Sequence, residues 1–143
     1  MVLGVGTDIV EIQIFKEVFL KNQRFRDKVF TEKEIHYCEN ELFKYQHYAA
    51  RFAAKEAYMK AIGTGWDKGI SWKQIEILNI CNGESKKEEI MFMGEKLINK
   101  KGQPKIVLNG TAFEISKKIG AKNHMLSLTH TDTMAIAFVI IEG

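Results

Sequence analysis

Three groups of residues in this chain have the types and spacing to do chemistry. The first is Gly4-Val5-Gly6-Thr7-Asp8, two glycines and an aspartate at alternate positions. It fails as a dinucleotide fingerprint: Ile9 stands where the third glycine of G-x-G-x-x-G belongs, and the run reads as a strand, not as the turn that follows one. Asp8 is then either a turn residue at a strand end or a carboxylate ligand for a hard cation such as Mg²⁺, which takes oxygens held on rigid elements.

The second group is Arg51-Phe52-Ala53-Ala54-Lys55-Glu56-Ala57-Tyr58-Met59-Lys60. On a helix Arg51 lies one turn from Lys55, and Glu56 one turn from Lys60. The Glu56–Lys60 spacing alone is an ordinary surface pair, roughly 0.2–0.5 kcal/mol. Arg51 beside Lys55 is different, because like charges one turn apart repel unless an anion sits between them. Glu56 falls between Phe52 and Met59 on the apolar face, where an unpaired carboxylate is costly. That pattern fits a metal and phosphate site, or else a structural use of the same charges. The third group, Ser127 to Thr133, alternates hydroxyls with apolar residues up to His130. It reads as a polar hairpin with a solvated histidine. A hydrolase triad is disfavoured because Ser127, His130 and Asp132 lie on one short segment.

These residues need elements to hold them. Val2 to Val10 is β-rich, with glycines that permit a close backbone approach or make a bulge. Ile12, Phe15, Val18 and Phe19 recur at helical spacing. Thr31-x-x-Glu34 is a capping box that opens a second helix near Glu32. From about Glu41 to Ile62 there is no proline or glycine, and Leu42, Tyr45, Ala49, Phe52, Glu56 and Met59 step by three and four, so this is the long helix. Gly63-Thr64-Gly65 ends it as a glycine cap does. Strands are expected within Ile70–Ile80, at Pro104–Leu108, His124–Thr129 and Met134–Ile141, with a turn at Asn82-Gly83 and a helix carrying Ala112, Ile115 and Ile119. The stretch Glu84–Gln103 reads as strand plus helix or as an elaborated hairpin. Four helices or fewer and about five strands, mostly in adjacent pairs, predict an α+β fold: an antiparallel sheet packed against one long helix and shorter helices.

Composition bounds the rest. The chain has 143 residues, 45% hydrophobic and 27% charged, with one proline and two cysteines. That length suits one domain over residues 1–143 and leaves no room for a second enzyme domain. Apolar content and fifteen aromatics argue against a disordered chain. No apolar run reaches a membrane span and no signal-peptide pattern opens the sequence, so a cytoplasmic protein is expected. Cys38 and Cys81 fit neither a disulfide framework nor a zinc spacing and read as reduced thiols. The net charge of +3, from 21 basic and 18 acidic residues, is too small for bulk nucleic-acid binding. Lys21, Arg24, Arg26 and Lys28 nonetheless cluster, opposed within the run by Asp27. They form a solvated face or a docking patch for an acidic partner.

Taken together, the three groups resemble the 4′-phosphopantetheinyl transferase family, in its short holo-[acyl-carrier-protein] synthase type. The resemblance rests on G-[IV]-G-x-D at Gly4–Asp8, on R-F-A-A-K-E-A-x-x-K-A-x-G-T-G over the fifteen residues Arg51–Gly65, and on S-[LI]-T-H-T at Ser127–Thr131. F-T-x-x-E at Phe30–Glu34 also fits, and the match covers most of residues 1–82 and 104–143. It implies transfer of phosphopantetheine from coenzyme A to a serine of apo-acyl carrier protein, for fatty acid biosynthesis, with release of adenosine 3′,5′-bisphosphate. By the same resemblance, Asp8 and Glu56 are ligands of one Mg²⁺ and Lys60 stabilises or protonates the leaving phosphate. Arg51, Lys55 and His130 contact coenzyme A phosphates, and Gly63, Gly65 and Thr131 complete that surface. Glu56 or a metal-bound water takes the serine proton. The family is typically a homotrimer with sites between subunits, and its carrier protein is acidic, which gives Lys21, Arg24, Arg26 and Lys28 a partner. Two departures stand out: Gln13-Ile14-Phe15 replaces the family's first-helix arginine, and the region about 84–103 is an insertion. The competing readings are a transferase for polyketide or peptide synthetase carriers, and a non-enzymatic module that docks an acidic partner. The longer transferases carry an internal duplication that is absent here.

Overall fold

A computed structural model describes residues 1–63, 68–80, 88–92, 95–99 and 102–143. Strand β1 (Val2–Glu11) runs directly into α1 (Ile12–Lys21), followed by the short α2 (Phe25–Val29) and by α3 (Glu32–Glu39). The long helix α4 spans Lys44–Ile62. A 3₁₀ turn (Trp72–Gln74) leads into β2 (Ile75–Ile80), and then come β3 (Glu88–Phe92), β4 (Glu95–Asn99) and β5 (Gln103–Leu108). Helix α5 (Gly110–Lys118) and strands β6 (Asn123–His130) and β7 (Met134–Glu142) complete the order. The expected α+β class holds. The described residues carry two more strands than expected, because the insertion forms the antiparallel hairpin β3–β4, and one more helix, α2, inside the basic cluster. Gly65, Cys81 and the expected Asn82-Gly83 turn lie outside the described residues.

The main sheet has the order β1-β7-β6, all antiparallel, so the last strand is central. β2 and β5 form a separate antiparallel pair. One face of the main sheet takes α4. A Cβ on Gly4 would fall 2.0 Å from the carbonyl oxygen of Ala61, and one on Gly6 would fall 1.9 Å from that of Ala57. The glycines in β1 are therefore the sites where helix backbone touches strand backbone. From β7, Ala135, Ala137, Val139 and Ile141 close the same layer and are fully buried. The opposite face stays open: Val5 is 53% exposed, Ile9 57%, Phe138 43% and Met125 43%.

Helix α4 is buried on most of its circumference, unlike the one-sided helix that the spacing predicts. It starts at Lys44, after Phe43, so Leu42 lies outside it and is 87% exposed instead of lining the apolar stripe. It ends at Gly63, in the left-handed region at φ 66°, as the glycine cap predicts. On its other flank an aromatic cluster seats α1 to α3: the Phe15 ring lies 5.9 Å from Phe19, 5.8 Å from Phe25 and 5.5 Å from Phe52. Among the described residues no helix is long and apolar enough to cross a membrane.

The backbone contact at Gly6 leaves no room for a methyl group. We expect Gly6→Ala to cost at least about 2 kcal/mol, as overpacking does, and to lower Tm by about 6 °C or more in thermal unfolding, with Val5→Ala as the exposed control. Equal Tm values for Gly6→Ala and the native chain would contradict the packing.

Candidate functional site

Asp8 sits near the end of β1, opposite Ala137 of β7, on the face that α4 covers. Its side chain is only 15% exposed, and its Oδ1 accepts from Lys60 Nζ at 2.8 Å. Lys60 also donates to the Thr7 carbonyl at 3.1 Å, while its own side chain is 55% exposed. The Gly4–Ala61 and Gly6–Ala57 contacts bring this end of α4 against β1, so the Asp8–Lys60 pair follows from the two glycines. Glu56 is half-buried, one turn before Lys60 on the same helix. The structure thus brings Asp8 together with the α4 segment that carries Glu56 and Lys60. As an ion pair with one exposed partner, Asp8–Lys60 contributes at most about 1 kcal/mol.

The donor chemistry suits a small hard cation. Among the described residues there is no cluster of three or more His, Cys, Asp or Glu. Two carboxylates on rigid elements, with the remaining positions left to water and phosphate, is the demand that Mg²⁺ makes. The Lys60 ammonium against Asp8 shows that this spot already holds positive charge.

Lys55 does not take the role expected of it. Its side chain is fully buried, and its ammonium donates to Glu34 Oε1 at 2.7 Å, to the Val29 carbonyl at 2.9 Å and to the Trp72 carbonyl at 3.1 Å. All three protons are spent inside the protein, so Lys55 has none for a coenzyme A phosphate. Burial pushes the Lys55 ammonium below the usual lysine range, and the Glu34 carboxylate opposes that shift. The anion required between Arg51 and Lys55 is therefore supplied in part by the chain itself. Glu34 reads locally as a cap and does cap: its Oε1 accepts from the Thr31 amide at 3.0 Å, and Thr31 Oγ1 accepts from the Glu34 amide. The only sequence signal of its second partner is the pair of like charges on α4.

Arg51 is 2% exposed, donates from Nη2 to Asn79 Oδ1 at 2.7 Å, and lies 4.0 Å from the centre of the Tyr37 ring. Its Nε finds no hydrogen-bond partner among the described residues. Spacing on α4 does not reveal Tyr37 or Asn79.

The third group ends β6. His130 is exposed and stands opposite Ala135, which in turn faces Val10 of β1. Two strand spacings, about 10 Å, separate it laterally from β1. Thr131 closes the β6–β7 turn, its Oγ1 accepting from the Thr133 and Met134 amides at 3.3 and 3.1 Å. Strand alternation sends Ser127 and His130 to opposite faces, so no triad forms. In the basic cluster Lys21, Arg24 and Lys28 are exposed. Arg26 instead reaches Asp27 at 3.0 Å and Glu39 at 3.9 Å, the second an acidic partner that the local run does not contain. Cys38 is free and buried, and burial pushes its thiol up to about 12.

Residues 4–122 match the profile described as the 4′-phosphopantetheinyl transferase superfamily. The chain is 37% identical over 144 residues to the holo-[acyl-carrier-protein] synthase of Solibacter usitatus, with all of both chains covered. It is 40% identical over 143 residues to that of Thermoanaerobacter sp. strain X514, covering all of this chain and 89% of the relative. Among solved structures, the holo-[acyl-carrier-protein] synthase of Neisseria meningitidis superposes with a TM-score of 0.78 at 27% identity over the whole of both chains. The enzyme of Bacillus anthracis, solved in complex with CoA (3′,5′-ADP), gives 0.68 at 26% identity, covering 99% of this chain and 96% of that one.

Proposed function

We propose that this chain, which belongs to the 4′-phosphopantetheinyl transferase superfamily, transfers the 4′-phosphopantetheine arm of coenzyme A to a serine of apo-acyl carrier protein. The observation that carries the reading is the junction of β1 with α4. There Asp8, Glu56 and Lys60 combine two carboxylates with an exposed ammonium. The serine oxygen forms a new bond to the phosphorus that bears pantetheine, the pyrophosphate P–O bond breaks, and adenosine 3′,5′-bisphosphate leaves.

Asp8 and Glu56 are the residues that would hold Mg²⁺, which when bound neutralises charge on the pyrophosphate and orients it. Lys60 is long, largely exposed and held by only two acceptors, so it can leave Asp8 and donate to the departing phosphate. Glu56, or a water beside it, takes the serine proton. The exposed ring of His130 is a donor for coenzyme A phosphates, and Gly63, Gly65 and Thr131 are further candidates for that surface. Arg51 is 2% exposed with its unpartnered Nε buried, so it reaches a phosphate only if the side chains around it move.

The carrier docks on α1 and α2. On α1 the apolar Ile14 and Val18 share one exposed face, and the exposed cations Lys21, Arg24 and Lys28 follow it. An acidic helix with a few apolar residues complements that surface, in the segment where Gln13-Ile14-Phe15 replaces the arginine expected from the family resemblance. Arg26, tied to Asp27 and Glu39, contributes less. The open sheet face exposes the apolar side chains of Val5, Ile9, Met125 and Phe138, and contiguous apolar surface of that kind supports a homotrimer built on that face. The enzyme works in the cytoplasm, supplying holo-carrier for fatty acid synthesis.

Incubation with apo-acyl carrier protein, coenzyme A and Mg²⁺ adds the mass of one phosphopantetheine to the carrier, and EDTA abolishes the gain. Asp8→Ala and Glu56→Ala each remove most turnover. An unchanged carrier mass in the presence of Mg²⁺ sinks the function. Charge reversal at the docking patch, Arg24→Glu, raises KM for the carrier by about tenfold and leaves KM for coenzyme A nearly unchanged, since removing one charged anchor from a binding face costs about 1–2 kcal/mol. Parallel rises in both would remove the patch from the docking face. Phe138→Glu converts the oligomer to monomer in light scattering after gel filtration; an unchanged mass means the open face is not the interface.

A further inference from the structure

The Lys55 ammonium and the Glu34 carboxylate have no access to water, and both are saturated. Lys55 serves Glu34, Val29 and Trp72. Glu34 Oε1 also takes the Thr31 amide, and its Oε2 takes the Ile77 amide at 3.2 Å. One pair therefore ties α4 to the end of α2, the start of α3, the 3₁₀ turn and β2. Burial alone gives no reason for charge here, since apolar side chains of the same volume commonly stabilise as well or better.

The opposite flank of α4 is set by Gly4 and Gly6 against Ala61 and Ala57. That contact is backbone on backbone. It fixes how close the helix lies and leaves its rotation to the side chains on the rest of the circumference, where Tyr48, Tyr58 and Met59 pack in the core and Lys55 makes the fully buried, directional hydrogen bonds. We propose that Glu34 and Lys55 are positioning residues for Glu56: the pair locks the rotation of α4 about its axis and so sets where the next carboxylate along the helix stands relative to Asp8. The proposal rests on the reading of Glu56 given above. A 20° rotation moves a helical Cα by about 0.8 Å, and more at a side-chain tip, given the roughly 2.3 Å radius of the Cα cylinder. Sites of this kind tolerate about 0.5 Å.

The test is the double variant Glu34→Gln/Lys55→Met, with Glu34→Asp as the charge-retaining companion. Four quantities are read: Tm, KM for coenzyme A, kcat, and the Mn²⁺ dissociation constant of the full chain measured without carrier protein. The double variant is expected to stay folded with KM for coenzyme A within about twofold, while kcat falls and the Mn²⁺ constant rises, each by about tenfold or more, as for groups that orient metal ligands. Glu34→Asp shifts the same two quantities in the same direction by less. A folded double variant with native kcat and native Mn²⁺ affinity overturns the proposal. So does a loss of kcat that vanishes at a temperature where the variant is fully folded. If the double variant does not fold, Glu34→Asp decides: native Mn²⁺ affinity there is equally contrary. A native chain that binds Mn²⁺ but transfers nothing counts against the proposed function, and the Mn²⁺ comparison still reads the positioning.

Discussion

Withdrawing the ammonium of Lys55 from water obliges the surrounding chain to supply three acceptors, and the three found here come from three different places in the fold. An ion buried without partners would cost several kcal/mol, so the fold tolerates Lys55 only while α3, the end of α2 and the 3₁₀ turn all hold their positions. The constraint runs both ways. Glu34 must reach α4, so α3 must begin where its capping box places it, and the carboxylate that caps α3 is the one that neutralises Lys55. The aromatic cluster fills the space that this arrangement leaves among α1, α2 and α4, which puts the cations Lys21, Arg24 and Lys28 on the outside.

The other flank of α4 obeys a different rule. Two glycines in β1 let the helix carbonyls approach the strand more closely than any side chain allows, and the alanines at positions 57 and 61 keep that surface flat. Asp8, two residues beyond the second glycine, consequently meets Lys60 rather than solvent. In this state the carboxylate has an ammonium as counter-ion, on a side chain that is 55% exposed. Under the proposed function, a metal ion held by Asp8 would replace the ammonium as its counter-ion and leave Lys60 available to the substrate phosphate.

What the sequence made legible was mostly local. Gly4 and Gly6, the Thr31–Glu34 box and the Gly63 cap each answer a demand of the backbone within a few residues, and each stands where the pattern places it. Asp8 and Lys60 each stand out in their motifs, but that they meet across 52 residues comes from the fold, since spacing pairs Lys60 with Glu56. The errors share one cause. Arg51 and Lys55 announce an anion, but spacing on one helix cannot say whether it comes from a substrate or from a residue elsewhere in the chain, and Lys55 finds it 21 residues away in Glu34. Leu42 continues the helical stripe in number but not in space, because the helix begins only at Lys44. The insertion forms a hairpin that short apolar runs leave undecided between strand and helix.

The clamp on α4 sets the turn that carries Glu56 and Lys60 against Asp8, and the proposed function puts a cation between the two carboxylates. The most direct measurement is a crystal structure of the full chain grown with coenzyme A and Mn²⁺, read by anomalous scattering. One Mn²⁺ is expected, bonded to an oxygen of Asp8, an oxygen of Glu56 and the pyrophosphate, with Lys60 moved from Asp8 to a phosphate oxygen and Lys55 still on Glu34. A metal bound without either carboxylate, or a Lys55 ammonium turned out to the coenzyme, would contradict that arrangement.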